Sequence, residues 1–200
     1  MRGRDLRERI LCSMIAFLIA SISLAGDSTD VRVRKLVLSL GGGSSYFLGE
    51  AGVPGHLNTV PQRFGPALTA RLMWHPEHLI RVGVESGWVH FYGYSMEGNG
   101  IKGSADLSAI PLLLQWSMRI GPRLQVFAGW GTYRLHSTLE LLGRTRSASF
   151  SQGYAAAISY SLPLSDRFDA AIEAKWMNAF VTQHHLLAVQ CRIDWKFLEW

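Results

Sequence analysis

From Leu187 to Phe197 the odd positions read Leu187, Val189, Cys191, Ile193, Trp195 and Phe197, while the even positions read Ala188, Gln190, Arg192, Asp194 and Lys196. Successive side chains of a strand point to opposite faces, so this segment presents one wholly apolar face and one that carries three charges. A helical repeat of about 3.6 residues does not sort residues this way. The same parity recurs upstream. Between Lys35 and Tyr46, Leu36, Leu38 and Leu40 alternate with Val37, Ser39 and Gly41. Further segments follow it near Phe64–Trp74, Ile80–Trp88, Ile110–Ile120, Leu124–Gly131, Phe150–Tyr160 and Phe168–Met177. With the C-terminal segment this makes eight predicted strands. An even number of antiparallel strands closes into an up-and-down barrel with both ends on the same side.

The connections are unequal in a regular way. Those after the second, fourth and sixth strands, His75–His78, Gly121–Pro122 and Pro163–Asp166, are short, and each contains proline. Those after the first, third and fifth, about Phe47–Arg63, Tyr92–Asp106 and Arg134–Arg146, are long, and Asn178–His184 is the shortest on that side. Transmembrane barrels place short turns toward the periplasm and long loops outside.

A soluble eight-stranded calyx also alternates, so the outward face has to be decided. Trp74, Trp88, Trp116, Trp130, Trp176 and Trp195, six of the seven tryptophans, lie on the apolar parity, together with Phe197. The opposite parity is rich in Gly, Ala and Ser, too small to solvate an outer surface but suited to the cramped interior of a narrow barrel. An arginine facing lipid at mid-membrane costs about 2–4 kcal/mol. The charges on the second parity therefore belong inside: Arg71, Arg81, Glu85, Arg119, Arg123, Asp169, Glu173, Lys175, Arg192, Asp194 and Lys196. All fall toward the short-turn end, where seven cations and four anions are expected to form a partly compensated network that blocks the lumen. Toward the other end the same parity reads Gly41, Gly43, Gly87, Gly131, Ser147, Ser149 and Ser151. These residues either relieve crowding and strand bending or line a shallow, water-filled vestibule.

Composition narrows the class further. Two hundred residues with 20 glycines and 11% aromatics fit one all-β domain. The formal charge of +5 is inflated by Arg2, Arg4, Arg7 and Arg9. These open a segment that reads as a cleavable export signal: an apolar run from Ile10 to Leu24, then Ser23-Leu24-Ala25 with cleavage expected before Gly26. Beyond it, sixteen cations face thirteen anions without a basic cluster, so nucleic acid is not an expected partner. The expected organisation is a signal peptide over 1–25, a short periplasmic segment over 26–34 and an outer-membrane barrel over 35–200. Cys12 falls within the signal, so the processed chain has Cys191 alone and no intramolecular disulfide.

Ile110-Pro111-Leu112-Leu113-Leu114, Val126-Phe127-Ala128-Gly129, Arg81-Val82-Gly83-Val84-Glu85 and the aromatic C-terminal strand carry a resemblance to a known group. The chain resembles the small outer-membrane β-barrel domains of Gram-negative bacteria, of the OmpX and OmpA membrane-domain type, over about residues 35–200. The resemblance implies an outer-membrane location, contact with outer-membrane lipids and reading of the final strand by the barrel-assembly machinery. In this chain Trp195, Phe197 and Trp200 correspond to that aromatic terminus, with Trp200 off the parity of the other two. A monomer is expected.

Some small barrels of this class modify lipid A with a Ser and a His near the outer leaflet. His56, His90, His136, His184 and His185 fall at the expected outer end, and His136, Ser137 and Glu140 are the catalytic candidates. A nucleophile needs a base within hydrogen-bond reach and a third group to orient that base. Adjacent residues on a strand point apart, which argues against His136 and Ser137 as a pair and against His184 and His185 as metal ligands. No metal or cofactor is expected. The readings carried forward are a plugged, non-enzymatic barrel acting through its outer loops, a lipid A or phospholipid-modifying enzyme, and a narrow channel or small-molecule carrier.

Overall fold

The computed structural model describes residues 34–49, 58–76, 79–98, 101–140, 143–182 and 185–200. The expected signal peptide, residues 26–33 of the segment after it, His56 and His184 lie outside the described residues. The strands are β1 (Lys35–Phe47), β2 (Asn58–Gln62), β3 (Phe64–His75), β4 (Ile80–Gly98), β5 (Ile101–Arg119), β6 (Leu124–Glu140), β7 (Arg144–Pro163), β8 (Phe168–Ala179) and β9 (His185–Glu199), with one 3-10 turn at Phe180–Thr182. All pairings are antiparallel.

Eight of these strands form a closed ring, and β2 is an addition to the outer part of β4. First and last strands join along their length, with Leu40 opposite Ile193 and Ser45 opposite Ala188. Closure leaves the ring without a free edge.

The outer surface is apolar all the way round. Leu40, Leu68, Val84, Leu112, Trp130, Ile158, Ile172 and Ile193, one from each strand of the ring, are all exposed. Water-facing monomers rarely expose an apolar patch above about 300–600 Å². A continuous belt of this kind is a surface that hydrocarbon covers. Aromatic rings cluster at its two borders. Trp195 stacks on Phe168 with centroids 6.2 Å apart near the short turns, and Tyr154 meets Trp176 edge-on at 5.8 Å near the opposite end. Trp74, Trp116, Trp130, Trp176, Trp195 and Phe197 are exposed, and half-buried Trp88 shares the outer face with Leu68.

Two bulges change the parity locally. Between Leu36 and Val37 the register with β9 shifts, so that Leu36 faces Leu198 while Val37 faces Lys196. Phe197 is the extra residue, so Leu198 joins Leu36 on the outer face and Trp200, two residues on, follows that corrected alternation. This accounts for the position of Trp200 off the parity of Trp195. In β4 the shift lies between His90 and Tyr92, and Phe91, the extra residue, is fully buried.

The stretches Tyr92–Asp106 and Arg134–Arg146, expected as long loops, are largely strand. β4 and β5 pair out to Gly98 and Ile101, and β6 and β7 to Glu140 and Arg144. Both faces of such an extension meet water, as along Arg144–Phe150, where every residue is exposed. No apolar alternation is then needed, and the sequence signal for a strand disappears.

Candidate functional site

Charged side chains fill the short-turn half of the lumen. Arg71 on β3 donates from Nε to Glu85 on β4 at 2.7 Å, and from Nη1 and Nη2 to the two oxygens of Glu173 on β8, both at 3.0 Å. Lys175 donates to Glu85 at 2.8 Å and lies 3.2 Å from Glu173. Arg192 on β9 donates to Glu173 and holds both oxygens of Asp194, at 2.7 and 2.9 Å. All six side chains are buried, and three cations meet three anions. Burying a charge costs several kcal/mol unless it is paired and hydrogen-bonded, and here each charge has at least one opposite partner.

Neutral groups complete the layer. Gln115 donates to Glu85 at 3.1 Å, and Thr69 receives Lys175 at 3.3 Å while donating to Gln190 at 2.8 Å. The Phe127 ring lies under two guanidinium groups, with its centroid 4.1 Å from Arg71 Cζ and 5.0 Å from Arg192 Cζ. Its negative face favours the cations it touches.

Above this layer the lumen is apolar. Phe47, Phe91, Leu113, Tyr133, Met177 and Leu186 form one buried cluster, and Tyr133 Oη donates to the Tyr154 carbonyl at 3.0 Å. Of the two readings of the small residues at this level, the structure favours relief of crowding over a vestibule: large residues on the inner parity, helped by the β4 bulge, occupy the space. The small residues serve close approach of the backbones. A Cβ at Gly43 would lie 2.0 Å from the Val189 carbonyl oxygen, and one at Gly131 would lie 2.2 Å from that of Leu112. Ser151 is buried, whereas Ser147 and Ser149 stand on the exposed β6–β7 extension.

The remaining predicted charges gather at the short-turn mouth, around a cavity of about 420 Å³. Lys196 donates to Asp169 at 2.9 Å there. Arg81 and Arg119 line the cavity, while exposed Arg123 donates to Tyr160 at 3.3 Å.

The catalytic candidates do not converge. On β6, buried Gln125, Phe127, Tyr133 and Leu135 define the inner parity, which places Ser137 inward and His136 on the outer face. Glu140 pairs instead with Arg144 at 3.0 Å. A different histidine has a carboxylate beside it: His90 Nδ1 lies 3.2 Å from Asp106 Oδ2. The His90 ring packs over Gly65, where a Cβ would lie 2.2 Å from Cδ2, and its Nε2 is buried without a partner among the described residues. Nearby, a groove of about 590 Å³ runs between the start of β3 and the outer parts of β4 and β5, with Arg63, Tyr94 and Asp106 in its wall. His185, whose neighbour in the proposed pair is not described, meets Asn178 across 3.1 Å. No cluster of three metal-ligating side chains occurs among the described residues.

No protein-family model matches the sequence, and no curated protein matches it. Solved structures do. The attachment invasion locus protein Ail of Yersinia pestis, in complex with the heparin analogue sucrose octasulfate, superposes with a TM-score of 0.53 at 8% identity, covering 84% of this chain and 100% of Ail. Neisserial surface protein A matches with a TM-score of 0.41 at 11% identity, covering 82% of this chain and 97% of that one. The N-terminal β-barrel domain of Pseudomonas aeruginosa OprF matches at 0.45 and 9% identity, over 82% and 98%. At such identities the likeness to Ail concerns fold alone. The chain has the fold of the small eight-stranded outer-membrane β-barrels, a class to which its closed ring and its apolar outer belt belong.

Proposed function

We propose that the chain is a plugged outer-membrane barrel that neither conducts ions nor catalyses a reaction, and that acts at the cell surface through the strand extensions above its belt. The observation that carries this reading is the lumen. A charge-neutral layer around Glu85 and Glu173 lies beneath an apolar layer around Phe91 and Tyr133, and the side chains of both layers are buried. The surface role is supported by the β4–β5 and β6–β7 hairpins and by the groove at Arg63, Tyr94 and Asp106. Separation of His136 and Ser137 onto opposite faces of β6 weighs against a lipid-modifying hydrolase built on that pair.

Planar-bilayer recording of the refolded chain tests the plug, and no discrete conductance step is expected. Steady single-channel openings in the wild-type chain would refute it. Lipid A mass spectra of cells with and without the protein are expected to be identical, and a lost or gained acyl chain would restore the enzyme reading.

A further inference from the structure

We propose that the short-turn mouth of the barrel is a binding site for a phosphoryl-type oxyanion, with Arg81 and Arg119 as its paired anchors. The inference starts from how Asp169 and Asp194, the described acids that line the cavity, and Glu199 beside Lys35 are occupied. Asp194 is taken by both guanidinium contacts of Arg192, Asp169 by Lys196 and Glu199 by Lys35 at 2.8 Å. The two arginines have no such acceptor: among the described residues neither makes a hydrogen bond or an ion pair.

Register brings them together. Arg81 on β4 stands opposite Ser117 on β5, and Arg119 lies two residues further along that strand on the same face. Diagonal neighbours of this kind are within reach of long side chains. Both line the cavity of about 420 Å³, with Lys35, His75 and Lys196 around them. The charge balance of the buried layer therefore stops at Asp194, and the cavity below carries a positive excess. A cleft of one sign with low-dielectric walls focuses its field and concentrates counter-ions.

Guanidinium groups offer planar forks of N–H donors that match oxyanions bidentately. A carboxylate can sit between two such forks, as Glu173 does, but a phosphoryl group brings three acceptor oxygens and up to two negative charges to a cavity that holds this positive excess. With short turns toward the periplasm the mouth opens on that side, so the group belongs either to a soluble phosphate compound or to a phospholipid headgroup.

The test uses the full chain refolded in an uncharged detergent, with every variant checked for heat-modifiable migration on an unboiled gel. Calorimetric titration is run with inorganic phosphate and, separately, with dihexanoyl phosphatidic acid, each against chloride at matched ionic strength. Saturable binding of phosphate points to a soluble ligand, and binding of the lipid alone points to a headgroup. In either arm R81Q and R119Q are each expected to weaken affinity about tenfold or more, since each removes charge-assisted hydrogen bonds. R81K is expected to retain part of the affinity, and R134Q on the outer face all of it. As a measurement without substitutions, the ligand is expected to raise the melting temperature of the wild-type barrel. No binding of either probe beyond the chloride control, or unchanged affinity in both R81Q and R119Q, overturns the proposal.

Discussion

Glu173→Gln is the most direct test of how the buried charges hold the barrel. Glu173 accepts from Arg71 at two positions and from Arg192, and lies 3.2 Å from Lys175. Removing one member of a buried ion pair costs about 3–5 kcal/mol, because the partner's charge stays desolvated. Counting each lost contact separately, at about 1.5–3 kcal/mol, would overshoot. Arg71 and Lys175 still have Glu85, and Arg192 still has Asp194. The amide also keeps one carbonyl acceptor in the same place. The expected loss is therefore about 3 kcal/mol, the low end of the range. The assay is equilibrium unfolding by urea in lipid vesicles, followed by tryptophan fluorescence and by gel mobility. Lys175→Met added to E173Q restores the balance of one cation per anion, and it should recover at least 1 kcal/mol, roughly the size of couplings between contacting residues. An E173Q barrel within about 1 kcal/mol of wild type would refute the reasoning, since no buried pair of this kind is lost so cheaply.

Phe127→Ala removes the ring beneath Arg71 and Arg192, and a loss of about 3–5 kcal/mol is expected in the same unfolding assay. Gly131→Ala places a methyl group 2.2 Å from the Leu112 carbonyl, so the two strands must separate; a cost of about 1–3 kcal/mol should appear as a lower urea midpoint. Leu114→Arg, on the exposed outer face between Val84 and Trp130, is expected to cost about 2–4 kcal/mol in vesicles. The rim substitution Leu162→Arg should cost no more than about 1 kcal/mol. Equal costs at the two depths would count against the assigned belt.

The barrel was legible because one face of each strand meets lipid and the other meets a narrow lumen, a contrast strong enough to survive in the residues themselves. Leu114 and Trp116 against Leu113 and Gln115 already separate outside from inside only with help from their neighbours, since Leu113 is apolar but buried. The upper lumen was legible only in part. Glycines and serines on the inner parity are compatible with either a vestibule or close strand approach, while Leu113, Tyr133, Met177 and Leu186 on the same parity fill the space. Large apolar residues at lumen positions were the available signal. The bulges at Phe91 and Phe197 left no mark in a rule of two, so the burial of His90 beside Asp106 and the outward return of Leu198 emerged only from strand register. The lumen charges could be assigned to a face but not to levels. Whether a charge sits in the neutral layer, as Arg71 does, or at the mouth, as Arg81 does, depends on how strands are staggered against each other.

The charged layer also bears on assembly. Arg71 and Glu173 are 102 residues apart in the chain, and Arg192 arrives only with the last strand. Until β9 meets β1, a growing sheet carries this polar strip on an open face, where hydrocarbon would penalise it. Insertion and closure are therefore tied into one event, and a half-formed sheet has no comfortable resting place in the bilayer.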